Sequence, residues 1–354
     1  MLDKIELQVN QRRFSAWKTA RITRGIESIS GHFELSISDN RHLRLPSTPF
    51  EIYEGDACSV LVNNQTVITG FVDEREISIS EREHRFVVSG RDAAGDLVDC
   101  SVNVGHSQFI GQPADQVIRQ LAAAYNIRVT SANALPPDPY ISFSPQAKVF
   151  QVIDDLCRFA GVLPVSDGEG GIQLINAGAE PPCSTSLTEG ANIISAKARF
   201  SAAGRFRTYV MYYDSRETPT WNLGAVALPQ ATDLGARAPR TLALIADKLT
   251  TPASAQTRVD WEAAGRAARA DTVEVVVQGW RQANRQLWPI NSLVRLKSPT
   301  LGLDASLLIT RAVYAVSDSE GVRTELMLRR PDAFLPQPIL QQSALLPLAK
   351  GVAP

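Results

Sequence analysis

Phe33-Glu34-Leu35-Ser36-Ile37-Ser38 alternates apolar and polar side chains without a break. That period of two turns one face of a strand into a core and the other toward water. At an offset of 240 the run falls on Val273, Glu274, Val275 and Val277. The same offset carries Ile68, Phe86, Val88, Asp92 and Ala93 onto Leu308, Leu326, Leu328, Asp332 and Ala333. Alternation by itself produces single matches of this kind, but the shared ending, strand then Asp-Ala, favours a duplicated unit. The run at 58–62 has its counterpart at 293–297, out of phase by about five residues, as a loop insertion would cause.

Around the opening run the first hundred residues read as short strands. Cys58, Val60 and Val62 alternate, Asn63-Asn64 is a turn, and 67–72 and 83–89 continue the series. Asp39-Asn40, Ser30-Gly31 and Ser89-Gly90 read as turns at strand ends. At about residue 106 the period changes. Pro113 suits a first helical turn, and Val117, Ile118, Leu121 and Tyr125 then share one face. A second helix runs from about Val149, with Val152, Ile153, Leu156, Cys157 and Ala160 on its apolar side and Gly161 as C-cap. Leu135-Pro136-Pro137-Asp138-Pro139 between the helices is a loop, and 163–165 with 172–175 form a hairpin. In the second half, 207–213 is a strand, 242–249 and 261–270 carry helical patterns, and Asp260 is the expected N-cap of the latter. Strands return at 273–277, 294–296, 307–316 and 324–328.

The expected fold is therefore α+β, mainly β, with two similar antiparallel β-barrel domains from an internal duplication, each carrying α/β insertions. The expected boundaries are a first barrel at 1–105, an α/β insertion with two helices and a hairpin at 106–180, and connecting strands at 181–215. A helical or irregular insertion at 216–268, a second barrel at 269–335 and a Pro-, Leu- and Ala-rich tail at 336–354 follow.

The 354 residues are 44% hydrophobic and 21% charged, a balance that buries a core and excludes wholesale disorder. The net charge of -1 provides no long-range attraction for DNA, so DNA binding as the main task is disfavoured. That figure hides a division. Residues 1–196 hold 16 Lys and Arg against 24 Asp and Glu, net -8, whereas 197–332 hold 19 against 13, net +6, and Lys350 adds one. No window approaches 18 consecutive apolar residues, so no membrane insertion is expected. The first residues lack the apolar stretch of a secretory signal, so a soluble chain made in the cytoplasm is expected. Cys58, Cys100, Cys157 and Cys183 match no zinc or redox spacing and read as reduced structural thiols.

His32, His42, His84 and His106 form no metal-binding spacing, and no GxSxG occurs. Gly168, Gly170 and Gly171 are followed by a strand where a phosphate loop needs a helix, which makes them a hairpin turn. Asp154-Asp155 lie about 100° apart on a helix and read as a solvated face, and Asp73-Glu74 follow a strand. Arg199, Arg205, Arg207, Arg281 and Arg285 are interleaved with Tyr209, Tyr212, Tyr213, Trp280 and Trp288, a mixture that can bind nucleic acid. The acids elsewhere in the chain argue instead for a subunit contact. No catalytic, cofactor-binding or metal residue is expected, and a non-enzymatic protein is.

Several stretches together resemble the baseplate hub proteins of contractile-tailed phages, those of Mu-like phages most of all, and more distantly the late-control D family and the N-terminal part of the VgrG spike. They are Arg24-Gly25-Ile26-Glu27, Gly31-His32-Phe33-Glu34-Leu35, Ile68-Thr69-Gly70-Phe71-Val72-Asp73 and Val88-Ser89-Gly90-Arg91-Asp92 leading to Asp96-Leu97-Val98-Asp99. Val277-Gln278-Gly279-Trp280, Leu287-Trp288-Pro289-Ile290-Asn291 and Arg330-Pro331-Asp332-Ala333-Phe334 complete the set. Such motifs mark strand ends and turns, so the resemblance carries over no catalytic residue.

The resemblance implies a structural virion protein: a homotrimeric hub joining the tail tube to the central tail spike within the baseplate, with DNA present only in transit through its channel. Each subunit of such hubs contributes two similar barrels, so three copies present six quasi-equivalent units. An acidic first barrel alternating with a basic second one would join opposite charges at each contact. Other baseplate proteins are expected partners, and the expected location is the virion tail, with host cytoplasm during assembly. A type VI secretion spike-hub is the alternative, weaker because such chains continue into a β-helical spike. A tail-associated cell-wall hydrolase is a further alternative, for which no helical lysozyme-type body is visible.

Overall fold

The computed structural model describes residues 4–15, 17–40, 51–80, 83–105, 107–135, 137–144, 146–213, 228–246, 251–335 and 338, with backbone alone at 38–40, 83–84, 137–140 and 159. His42, His106, residues 216–227 of the expected 216–268 insertion and all but residue 338 of the tail beyond Leu335 lie outside the described residues. The chain divides into two units, one of Met1–Arg199 with Thr272–Pro331, the other of Phe200–Asp271 with Asp332–Pro354.

The first unit opens with β1 (Ile5–Val9), β2 (Arg12–Phe14), β3 (Thr19–Gly25), β4 (His32–Asn40), β5 (Ala57–Val62), β6 (Gln65–Ile79) and β7 (Glu83–Asp92). They pair in the order β3-β4-β7-β6-β5-β1-β2. Leu7, Ile22, Phe33, Leu35, Val60, Ile68 and Val88 supply the buried face that the alternation foretells. Asn63 and Asn64 take positive φ of 48° and 65° and close the β5–β6 hairpin, a conformation asparagine tolerates.

Two expected turns are strand instead. Asp39-Asn40 continue β4 and pair with His84 and Glu83. Ser89-Gly90 lie inside β7, because Gly90 is needed there for close approach and not for a reversal: a Cβ on it would stand 2.1 Å from the Phe71 carbonyl oxygen.

An insertion follows: α1 (Gly95–Asp99), β8 (Gln108–Pro113), α2 (Ala114–Ala123), β9 (Val129–Ser131), β10 (Pro137–Ser142), α3 (Val149–Ala160), β11 (Leu163–Ser166) and β12 (Ile172–Ile175). It has its own core, in which Val117, Ile118 and Leu121 of α2 meet Val149, Ile153 and Leu156 of α3. Pro113 stands at the N-cap position, one residue before α2 and not within its first turn, and Gly161, at φ 71°, ends α3 with its N–H on the Arg158 carbonyl at 3.3 Å. The proline-rich loop is shorter than expected, since residues 137–142 form β10 and pair with β8. β11 and β12 form the expected hairpin, and β12 also runs parallel to β9.

β13 (Leu187–Thr188) and β14 (Ile193–Phe200) lead to the second unit, built from β15 (Thr208–Tyr212), β16 (Gln230–Thr232), β17 (Thr241–Ile245) and α4 (Pro252–Arg269). The helical pattern expected at 242–249 is β17 over its described part. Leu242 and Leu244 pack inward by strand alternation, and β17 lies parallel to β15. The last helix starts nine residues before Trp261. Thr251 is its N-cap, accepting the Ser254 N–H at 3.3 Å with Pro252 following, whereas Asp260 lies mid-helix and accepts from Gln256.

β18 (Asp271–Gln278), β19 (Leu293–Ser298), β20 (Leu303–Ser317) and β21 (Gly321–Arg329) return to the first unit. Their neighbour order, β18-β21-β20-β19, is that of β4-β7-β6-β5. β6 and β20 are each 15 residues long, and each bulges against the strand that follows it, between Val72 and Glu74 and between Ile309 and Arg311. The two sets do not form separate closed barrels among the described residues. β20 outruns β19, and the freed half of its edge takes β3, so strand pairing runs as one open sheet from β14 to β2.

Candidate functional site

The residues singled out for chemistry are dispersed. His32 is an exposed strand residue, and among the described residues no group of three or more His, Cys, Asp or Glu could hold a metal ion. The four cysteines are free thiols; burial pushes Cys58 up to about 12 and Cys183 up to about 11, and raises Cys157 as well. Asp154 bonds Arg158 one helical turn on, at 2.6 Å. Asp73 and Asp99 both grip Arg91, at 2.7 and 2.6 Å, which ties β7 to α1. Tyr209, Trp280 and Trp288 are buried, so their rings are not offered for stacking, and Arg205 is engaged in a two-pronged bond to Asp233.

Asp92, one of the two Asp-Ala positions, holds a joint. Burial raises its carboxyl, while N–H groups of Gly31 (2.5 Å) and Ala94 (3.1 Å) donate to it. Asp167 in the hairpin turn behaves oppositely. Burial alone would raise it, but the N–H groups of Gly171 and Glu169 and the Arg128 guanidinium together hold it below the usual carboxylate range. The glycines there serve the turn, as expected. A cavity of about 310 Å³ lies beside this turn, lined by Arg24, Asp167, Glu180, Trp288, Asn291 and Tyr314 among others. Arg24 donates to the Ser166 carbonyl and the Tyr314 hydroxyl to that of Trp288, so two of its polar groups already serve the framework.

The two recurring strand sets meet at the junction of β3 with β20, in register from Gly25 opposite Arg311 to Ala20 opposite Val316. Ile22 and Tyr314 face each other there and both are buried. Across the outer face Arg21 makes a two-pronged bond, at 2.9 and 2.6 Å, to Glu325 of β21. This pair, 304 residues apart, has no local signature in the sequence.

The Arg21 hydrogen bonds lower the Glu325 carboxyl, against a smaller raising effect of burial. A lowered acid contributes stability above its unfolded value, near 4.3, and loses that contribution as pH falls through the folded value. With both side chains partly exposed, the pair is worth about 0.5–1 kcal/mol. Glu325→Gln is therefore expected to reduce stability by that amount at pH 7, with the difference from wild type vanishing below the ordinary glutamate value. Urea midpoints for both chains across this range check it; a difference that persists undiminished in acid would refute it.

Family models match in three blocks: residues 4–92 the N-terminal part of the Mu phage baseplate assembly protein GpP-like group, 94–176 the second domain of the baseplate hub protein gp44-like group, and 251–337 the fourth domain of Mu phage baseplate assembly protein GpP. The chain is 25% identical to the baseplate hub protein gp44 of Escherichia phage Mu over 347 residues, 95% of this chain and 90% of that one. Its fold is similar to the prophage MuSo2 43 kDa tail protein from Shewanella oneidensis, with TM-score 0.84 and 28% identity over 94% and 99% of the two chains. It is also similar in fold to a tail protein from Neisseria meningitidis MC58, with TM-score 0.79 and 20% identity over 96% and 99%.

Proposed function

Because the chain belongs to the Mu-like phage baseplate hub proteins, we propose that it acts as a homotrimeric hub, holding the central spike to the tail tube and surrounding a channel for DNA in transit. Its place is the virion tail, after assembly in host cytoplasm. The observation that carries the reading is the recurrence of one neighbour order, β4-β7-β6-β5 and β18-β21-β20-β19, within one chain. Two such sets, read as a duplicated unit, would let three chains offer six quasi-equivalent elements, the match needed between a three-fold spike and a six-fold tube.

The domain boundaries set out from the sequence belong to this reading, as does the absence of a catalytic, cofactor or metal site. The channel wall is expected to be acidic or neutral, so that phosphate is not retained. Light scattering on the purified chain tests the hub: a mass of three chains, weakening with added salt because opposed charges join the subunits, is the expected result. A strict monomer at micromolar concentration would overturn it.

A further inference from the structure

Two sheet edges of the first unit are left without a partner strand among the described residues, and each has the features the other needs. Counted from the bulges, Arg75, Ile77 and Ile79 of β6 stand where Ala312, Tyr314 and Val316 stand in β20. On β20, Ala312 and Tyr314 are 0% and 3% exposed, because β3 covers that half of the edge. On β6, β5 reaches only to Phe71, and Ile77 and Ile79 are 60% and 75% exposed.

The second edge belongs to β14. It pairs with β18, the counterpart of β4, as β3 pairs with β4. β3 goes on to pair with β20, but the other side of β14 meets no strand among the described residues. Ala196 and Ala198 pack partly on the core, and Ile194 in the same row is 56% exposed. The opposite face of β14 carries Lys197 and Arg199, and the opposite face of β6 carries Glu74 and Glu76. None of these four has an ion-pair partner among the described residues.

We propose that β14 of one copy adds, antiparallel, to residues 74–79 of β6 in the next copy, repeating between chains the β3–β20 junction that exists within each. The proposal rests on the hub reading and names the surface through which one subunit meets the next. Placing Ala196-Lys197-Ala198 as Ala20-Arg21-Ile22 lie on β20 sets Ala198 opposite Ile77 and Ala196 opposite Ile79. The small alanines leave room for the two isoleucines, which thereby leave water. Arg199 comes opposite Glu76, with Lys197 at diagonal reach of the same carboxylate. Donor and acceptor edges differ, so the contact is heterologous: copies follow one another head to tail until a ring closes. A second copy is favoured over an unrelated strand because the charge pattern and the side-chain sizes are both matched by this chain.

The test is cysteine cross-linking in the full-length chain. Residues directly opposite on antiparallel strands have Cα atoms about 4.5–5.5 Å apart, within disulfide range. A chain carrying Ile77→Cys and Ala198→Cys, oxidised, is expected to give two- and three-chain bands on a non-reducing gel. Mixing chains that carry only one of the two changes is expected to give two-chain bands.

Ile77→Cys with Lys197→Cys places the thiols on opposite faces and is expected to give about tenfold less product. Wild type, with its four free thiols, sets the background. Glu74→Lys with Glu76→Lys is expected to lower the trimer fraction, and adding Lys197→Glu with Arg199→Glu to restore it. A trimer by light scattering in which the 77/198 pair gives no more cross-link than its control overturns this interface and leaves the hub reading standing. A wild-type monomer overturns the hub reading and this interface with it.

Discussion

Trp280→Ala is expected to destabilise the first unit by about 3–5 kcal/mol, among the largest single-residue effects in the chain. The indole is 1% exposed within the strand core, and its Nε1 donates to the Ala315 carbonyl of β20 at 3.0 Å. Truncation removes a large apolar body, leaves a cavity that packed strands cannot collapse, and deletes a hydrogen bond to a carbonyl of a strand paired on both sides. Trp280→Phe keeps most of the volume and loses the hydrogen bond, with an expected cost of about 1–3 kcal/mol. Urea unfolding followed by circular dichroism reads both. If Trp280→Ala moved the midpoint by less than the phenylalanine variant, the side chain would not be a core element.

Gly90→Ala should be comparably damaging, although it adds only one carbon. Its Cβ would stand 2.1 Å from the Phe71 carbonyl oxygen and 2.8 Å from the Phe33 ring, so backbone and a fully buried aromatic would both have to yield. Gly70 presents the reciprocal approach, 2.1 Å from the Arg91 carbonyl oxygen. Strands β6 and β7 pinch together here beside the Asp73 bulge, a place where glycine is required for close backbone approach. Overpacking typically costs about 1–3 kcal/mol, and a clash with backbone that cannot rotate away puts this site at the upper end, about 3 kcal/mol. Gly105→Ala, where an added Cβ meets nothing within 4 Å, is the control and should change stability by no more than about 0.5 kcal/mol. Equal stability of the two alanine variants would refute the close approach.

Much of this architecture is legible locally. The 33–38 run, the alternation at 58–62 and the strands near 273–277 and 324–328 report a buried face through their period, and that face exists. α2 and α3 were equally legible, because helical spacing coincided with a proline at the start of one and a glycine at the end of the other. The Thr251-Pro252 start of α4 also stands in the sequence, but the apolar spacing that begins at Trp261 points past it. Ser89-Gly90 misled for a physical reason: glycine marks both reversals and close backbone contacts, and only the neighbouring strand tells them apart.

By itself the sequence determined that strand outweighs helix, where two helices lie, that one strand pattern recurs, and that acidic and basic residues are divided between its halves. Tertiary structure alone decided which strands are neighbours. β17 could be read as helix until β15 lay beside it, and the aromatic and arginine mixture could be read as a surface until Tyr209, Trp280 and Trp288 were seen to be buried. The β3–β20 junction and its Arg21–Glu325 bond join residues some 300 positions apart and merge two expected barrels into one open sheet. Periodicity records that a face is covered and carries no information about what covers it, because strand partners are chosen by long-range pairing and by where one strand outruns another.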